Sequence, residues 1–397
     1  MSRVLVTGGA GFIGSCFAHH AIRQHPDWQV VVLDKLTYAG NLANLRDLEG
    51  HPRYRFVRGD IAVRADVETA WGEGIDVLFN FAAETHVDRS IGDPEGFIRT
   101  DVYGAYTLLE VARERGLKRF VQISTDEVYG SVATGASRED SPLMPSNPYS
   151  ASKAGADRLA YSYFATYGVP VLVTRASNNF GPRQYPEKLI PLFITNALDD
   201  LPLPLYGDGG NVRDWLAVED HCAALDVVLE RGVPGEVYNI GGGNERRNIE
   251  ITEHILRRLA KPPTLIRHVT DRLGHDPATR STAGGCASWD GPHAPTSRAR
   301  STRPSSGIGT TAPGGSRSSR ASIASTTGSS TATAPTRPRR SEAQGAGGSP
   351  GSGVPLSPAG GSFGATTWVA RMARSTPSPD ISREMRSTGS PARAVSQ

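Results

Sequence analysis

The chain has 397 residues, enough for one large α/β unit or two domains, with 43 Lys+Arg against 40 Asp+Glu. The balance is uneven: 29 basic against 35 acidic side chains stand up to His275, and 14 against 5 from Asp276 onward. The basic character belongs to the tail, so it gives no argument for nucleic acid as a partner of the rest. Three cysteines, Cys16, Cys222 and Cys286, are too scattered for a disulfide framework or a zinc cluster. No charged-then-apolar leader and no membrane-length apolar run is visible, so a cytoplasmic protein with no membrane partner is expected.

The first element is Val4-Leu5-Val6-Thr7, which stops at three glycines spaced Gly8-x-x-Gly11-x-x-Gly14 before an apolar amphipathic segment. Strand, tight turn and helix follow from that pattern. Glycine permits the sharp turn and lets backbone approach a pyrophosphate, while free N–H groups at the helix start face its charge. A second apolar run, Val30-Val31-Val32-Leu33, ends in Asp34. A carboxylate there accepts from a ribose 2′-OH and repels a 2′-phosphate, which predicts NAD rather than NADP as cofactor.

Further strands are predicted at residues 54–57, 76–81, 119–124 and 170–174, with long helices over 95–115 and 149–167. The alternation predicts an α/β fold, a Rossmann-like doubly wound parallel sheet whose chemistry gathers at the strands' carboxyl ends. After Ser177 the pattern loosens, with a helix near 187–199 and a strand at 235–241. A smaller, discontinuous substrate-binding lobe is expected over 177–275, with 211–241 rejoining the dinucleotide domain of 1–176. His19-His20 on the first helix reads as a solvated face, and no metal is expected.

From 276 to 397 there is no Lys, Asn or Tyr and one Leu, Leu356. A composition of Ser, Thr, Ala, Gly, Pro and Arg buries too little apolar surface to offset chain entropy, so disorder is expected. The missing residues share AT-rich codons. A GC-rich gene translated out of frame gives the same composition, and resequencing near codon 276 distinguishes the two.

The strand at 119–124 runs into Ser124-Thr125-Asp126-Glu127-Val128-Tyr129-Gly130, and Tyr149-Ser-Ala-Ser-Lys153 follows on a helix. Tyr and Lys four apart share a helical face. A phenol ordinarily near pKa 10 is expected to move toward phenolate beside an ammonium and a cationic nicotinamide, which makes Tyr149 a base for a sugar hydroxyl.

These blocks resemble the extended short-chain dehydrogenase/reductases and, within them, the dTDP-glucose 4,6-dehydratase family. The resemblance also rests on Leu36-Thr-Tyr-Ala-Gly-Asn-Leu42, Asn80-Phe-Ala-Ala-Glu-Thr-His-Val-Asp-Arg-Ser90, Ser177-Asn-Asn-Phe-Gly-Pro182, Pro186-Glu-Lys-Leu-Ile-Pro191, Tyr206-Gly-Asp-Gly209, Arg213-Asp-Trp215 and Asp271-Arg-Leu-Gly-His275. It implies NAD contacts at Gly8, Gly11, Phe12, Ile13, Gly14, Ser15, Asp34, Lys35, Leu36, Thr37, Asp60, Ile61, Ala82, Ala83, Glu84, Thr100, Tyr149, Lys153 and Asn179. It implies contacts to a nucleotide sugar at Thr85, Thr125, Asn178, Lys188, Leu189, Pro204, Leu205, Tyr206, Arg213, Asn248, Asp271, Arg272, Leu273, Gly274 and His275.

The implied reaction is dehydration of dTDP-glucose in deoxysugar or antibiotic biosynthesis, with Thr125, Asp126, Glu127, Tyr149 and Lys153 as the catalytic set. Glu127 takes the C5 proton and a protonated Asp126 gives one to the departing C6 hydroxyl. A homodimer joined through 95–115 and 149–167 is implied as well. A nucleotide-sugar 4-epimerase or decarboxylase, or an NAD-binding product inactivated by its C-terminus, are the alternatives. After His275 the family's Arg-Tyr pair is replaced by Pro277-Ala278-Thr279.

Overall fold

The computed structural model describes residues 1–132, 135–271, 276, 278 and 279, and the backbone of 322–325. The first half alternates β1 (Ser2–Thr7), α1 (Phe12–Gln24), β2 (Trp28–Asp34), β3 (Tyr54–Arg58), α2 (Arg64–Trp71) and β4 (Val77–Asn80). It continues through α3 (Val87–Gly92), α4 (Pro94–Phe97), a π-helical segment (Ile98–Gly104), α5 (Ala105–Arg115), β5 (Arg119–Thr125), α6 (Pro148–Tyr167) and β6 (Val171–Ala176). The second half holds β7 (Asn178–Phe180), α7 (Leu189–Leu198), β8 (Leu203–Tyr206), β9 (Val212–Ala217), α8 (Val218–Arg231) and β10 (Val237–Gly241). The last elements are β11 (Glu245–Arg247), α9 (Asn248–Arg258), β12 (Ile266–Val269) and β13 (Ser322–Ser325).

The main sheet has the order β13-β10-β6-β5-β4-β1-β2-β3, parallel except for β13. Strand β1 is the pivot: the chain winds outward on one side through β2 and β3 and on the other through β4, β5 and β6. Both faces are covered, which is why these strands are apolar throughout rather than alternating. Val4 and Val6 of β1 pack into a core with Phe17 and Ala21 of α1 and Ala224, Leu225 and Val228 of α8. Leu5, one residue out of phase, packs on the opposite face with Leu108 and Leu109 of α5 and Ala160 and Tyr163 of α6.

A second group of elements lies at the carboxyl ends of the strands. It consists of the sheets β11-β9-β7 and β12-β8 with α7 and α9. Strand β10 joins the main sheet beside β6, whereas β9 belongs to the small sheet.

Two expectations are corrected. The helix predicted over 95–115 changes winding at Ile98–Gly104, where hydrogen bonds reach one residue further. His19-His20 is not a solvated face: His19 is buried with Nε2 2.9 Å from the Asn44 carbonyl, and His20 is half-buried against Asp226. Beyond His275 the described residues are 276, 278, 279 and the backbone of 322–325, and nearly all of the segment expected to be disordered lies outside them. The Thr279 N–H donates to the Val212 carbonyl at 3.4 Å, the Val132 N–H donates to the Ala278 carbonyl at 3.1 Å, and Ser322–Ser325 pairs antiparallel with β10. Such pairing uses backbone groups, which every residue but proline carries in full, and so asks nothing of composition.

Candidate functional site

The crevice lies at the carboxyl ends of β1 and β4, where the winding reverses. Gly8 has φ +65°, and a Cβ there would stand 2.6 Å from the Ala82 nitrogen; a Cβ on Gly14 would stand 2.3 Å from the Gly8 carbonyl oxygen. Neither position admits a side chain. Helix α1 begins after Gly11 with no side-chain cap, so its first N–H groups and the positive end of its dipole serve an anion. Phe12 and Ile13 pack on the core, and Ser15 Oγ donates to the Phe12 carbonyl at 3.0 Å.

Asp34 ends β2 and is buried; its carboxylate accepts from the Ala10 N–H at 2.9 Å and the Leu36 N–H at 2.7 Å. Burial pushes its carboxyl up against the pull of those bonds. Lys35 Nζ is paired with Asp60 at 2.7 Å; burial pushes the Asp60 carboxyl up, but Lys35, the Ala62 N–H and the charge of Arg99 together hold it low. Leu36 turns in the left-handed region ahead of Thr37, and Ile61 fills the space a Cβ on Gly104 would take. Beyond β4, the Ala82 N–H donates to Thr7 Oγ1 at 3.3 Å, Ala83 is half-buried beside it, and Glu84 Oε1 accepts from Thr100 Oγ1 at 3.4 Å. Asn179 Oδ1 lies 3.0 Å from His221 Nδ1. An uncapped helix start, glycines without room for a Cβ and an acid ending β2 fit a dinucleotide.

Strand β5 delivers the acid pair. Its last residue, Thr125, caps the single 3-10 turn Asp126–Tyr129 by accepting from the Glu127 N–H at 3.3 Å. The turn sends the two carboxylates into different surroundings. Asp126 is 2% exposed, and its Oδ2 has no hydrogen-bond partner among the described residues. Burial, then Glu127 and Asp214, push its carboxyl up to about 8 against the opposing pull of Arg213. Glu127 is half-buried. Asp126 therefore carries a proton near neutral pH, as an acid for a leaving hydroxyl requires.

Tyr149 sits in the first turn of α6, whose start is fixed by Pro148 and by the Asn147–Ser150 capping box. The expected phenolate is not what the protein's own groups favour. Burial, followed by the charges of Glu127, Asp101 and Asp126, holds the phenol well above its ordinary value. Lys153 Nζ donates to the Ile123 carbonyl at 2.7 Å, and burial lowers its ammonium.

The residues expected to meet a nucleotide sugar are spread over the smaller elements. The Thr85 carbonyl accepts from Tyr38 at 3.0 Å, Asn178 lies in β7 with a buried Oδ1, and Lys188 and Leu189 open α7. Pro204, Leu205 and Tyr206 end β8, where the Tyr206 hydroxyl donates to Asp88 at 3.1 Å. Asn248 opens α9 and is buried, and Asp271 is exposed. Arg213, expected to face a diphosphate, is buried and donates to the Val212 carbonyl at 2.8 Å and the Asp276 carbonyl at 2.9 Å. Arg272, Leu273, Gly274 and His275 lie outside the described residues.

Two contributors were given no role from sequence, although Asp214 stands inside the Arg213-Asp-Trp215 block. Asp101 is buried in the π-helical segment and accepts from the Glu84 N–H and Ser152 Oγ; Asp214 accepts from the Gly242 and Asn244 N–H groups at 2.7 Å each and raises Asp126. A polar residue on the buried side of an amphipathic helix is the only trace Asp101 leaves in sequence.

A family model described as the NAD dependent epimerase/dehydratase family matches residues 4–241. The chain is 56% identical over 273 residues to the low-salt glycan biosynthesis protein Agl12 of Haloferax volcanii, spanning 69% of this chain and 87% of that protein. It is 52% identical over 278 residues to a dTDP-glucose 4,6-dehydratase of Streptomyces niveus, spanning 69% of this chain and 82% of that one. Among solved structures, DesIV, a dTDP-glucose 4,6-dehydratase from Streptomyces venezuelae with NAD and TYD bound, superposes with TM-score 0.69 at 50% identity, covering 70% of this chain and 88% of that one. A UDP-glucuronic acid 4-epimerase from Bacillus cereus, in complex with UDP-glucuronic acid and NAD, gives TM-score 0.66 at 29% identity, with 70% and 90% covered. With the family model spanning more than half its length and relatives at this identity, the chain belongs to the NAD dependent epimerase/dehydratase family.

Proposed function

We propose that the chain is an NAD-dependent dTDP-glucose 4,6-dehydratase, converting dTDP-glucose to dTDP-4-keto-6-deoxyglucose and water. The observation that carries this reading over a 4-epimerase is Asp126: a buried carboxyl raised to about 8, immediately before a half-buried Glu127 at the end of β5. Epimerisation at C4 has no use for an acid and a base acting at C6 and C5. The dehydratase relatives share about half of the chain's residues over the matched region.

NAD, when bound, supplies a hydride acceptor for sugar C4, a donor for C6, and the positive charge a buried phenol needs to lose its proton. Tyr149 takes the proton of the 4-hydroxyl. The resulting 4-ketone acidifies the C5 hydrogen, and Glu127 removes it. Asp126 protonates the C6 hydroxyl, which leaves as water, and Glu127 gives its proton back to C5 as C6 is reduced. Arg213, close enough to pull down the Asp126 carboxyl, keeps the acid's proton available rather than locked on. Lys153 ties the start of α6 to β5 through the Ile123 carbonyl, and the Asn147 cap fixes the helix start itself.

In this reading residues 1–176, rejoined by 211–241, hold the cofactor and the rest of 177–275 holds the sugar. A homodimer is part of the proposal. Ile98, Tyr103 and Tyr106 on the π-helical segment and α5, with Tyr161 and Tyr167 on α6, are large apolar side chains left exposed on the two helices a partner would cover. A cytoplasmic setting agrees with buried free thiols at Cys16 and Cys222; among the described residues no helix is long and apolar enough to cross a membrane.

Incubation of purified protein with dTDP-glucose tests the function. A 4-keto product absorbing in alkali, with loss of one water by mass, is expected. A 4-epimer of unchanged mass supports the epimerase reading instead.

A further inference from the structure

Helices α1 and α8 pack against each other on one face of the sheet, and three side chains with metal-ligand chemistry meet where they do. His20 Nε2 lies 2.5 Å from one oxygen of Asp226, and His25 Nε2, just beyond the end of α1, lies 3.0 Å from the other. One ligand atom from each residue falls within 4.8 Å of the other two. Their side chains are 12 to 26% exposed, sheltered yet open to entry from solvent. The rings are held in place: His25 stacks on Trp28 with centroids 3.7 Å apart, and His20 on Phe17 at 6.1 Å. In sequence Asp226 is 206 and 201 residues from its partners, so spacing gave no warning of the cluster.

We propose that His20, His25 and Asp226 bind a divalent transition ion of the zinc class. Two imidazole nitrogens and one carboxylate are the donor set such an ion takes, with water completing a four-coordinate shell. Binding exchanges two ring-to-carboxylate hydrogen bonds for metal bonds, each neutral ring carrying its proton on Nδ1 instead. The ion fastens the end of α1 to α8. None of the three residues is part of the cofactor cradle or the acid pair, so its effect falls on stability and not on the chemical step.

The test uses the full chain, stripped with chelator and titrated with zinc chloride by calorimetry and by thermal unfolding. One ion per chain and a rise in melting temperature are expected, with a change in Trp28 fluorescence. Asp226→Asn and His20→Gln weaken zinc by about tenfold or more and remove the temperature rise. The two variants differ in how much of the hydrogen-bonded pair they leave, so a folding defect in one does not silence the other, and circular dichroism checks both. No uptake by the wild type, or equal affinity in wild type and both variants, overturns the proposal: the three groups are then a hydrogen-bonded strut only.

Discussion

Ser152 Oγ donates to Asp101 Oδ2 at 2.6 Å, while the other oxygen of that carboxylate accepts the Glu84 N–H at 2.8 Å. One buried side chain thereby ties α6, which carries Tyr149 and Lys153, to the loop beyond β4, which carries Glu84. Removing it in Asp101→Ala leaves the Glu84 N–H unpaired in the interior, at about 1–3 kcal/mol, while the Ser152 hydroxyl turns to the Tyr149 carbonyl 2.8 Å away. Asp101→Asn keeps an acceptor and costs less. Urea unfolding of the two variants checks the order.

The same carboxyl carries a pH signature. Burial raises it from 3.8 to about 6, although Lys153 pulls the other way. The native state thus binds the extra proton, so this group's stabilising contribution is complete below about pH 4 and is lost as pH rises through 6. The stability of Asp101→Asn relative to wild type is therefore expected to improve between pH 4 and 7, as read by unfolding at each pH.

Asp126 must be protonated to act as the acid, and its carboxyl is pushed up to about 8. Turnover is expected to fall as pH rises through about 8, in a profile of kcat from pH 6 to 10. Asp126→Asn cannot give a proton; it is expected to lose on the order of 10²–10⁴ in kcat, and its residual rate lacks that limb.

Glu127→Gln separates the two half-reactions. Without a base at C5 water loss stops, while oxidation at C4, with Tyr149 as the base and bound NAD as the hydride acceptor, continues, so reduced cofactor accumulates and absorbs in the near ultraviolet. Dehydration at the wild-type rate refutes the role given to Glu127.

Gly14→Ala places a methyl 2.3 Å from the Gly8 carbonyl oxygen and 2.9 Å from the Gly8 carbonyl carbon, both rigid backbone atoms. The turn must open, at about 1–3 kcal/mol of strain, and the cradle loses its shape. Weaker NAD binding by calorimetry is expected, tenfold or more for each ~1.4 kcal/mol that falls on the bound state.

The sheet was legible because its strands are short apolar runs and its first turn needs glycine, both local features. Strands β1, β2, β3, β4, β5 and β6 all fall within two residues of the runs read from sequence. The π-helical turn at Ile98–Gly104 was not, since one extra residue per turn leaves the apolar pattern on either side almost unchanged. The Tyr149–Lys153 spacing placed both residues on α6 correctly. It said nothing of the Ile123 carbonyl that engages the ammonium, or of three carboxylates around the phenol. Contacts such as Ser152–Asp101 and His20–Asp226 join residues 51 and 206 positions apart, and only the fold brings them together.

Supplying dTDP-glucose that carries deuterium at C4 tests most directly whether one enzyme-bound hydride leaves C4 and returns to C6. The account predicts a product lighter by one water that keeps the deuterium, now at C6. A product that has lost the label to solvent, or an undehydrated sugar with the label back at C4, contradicts it.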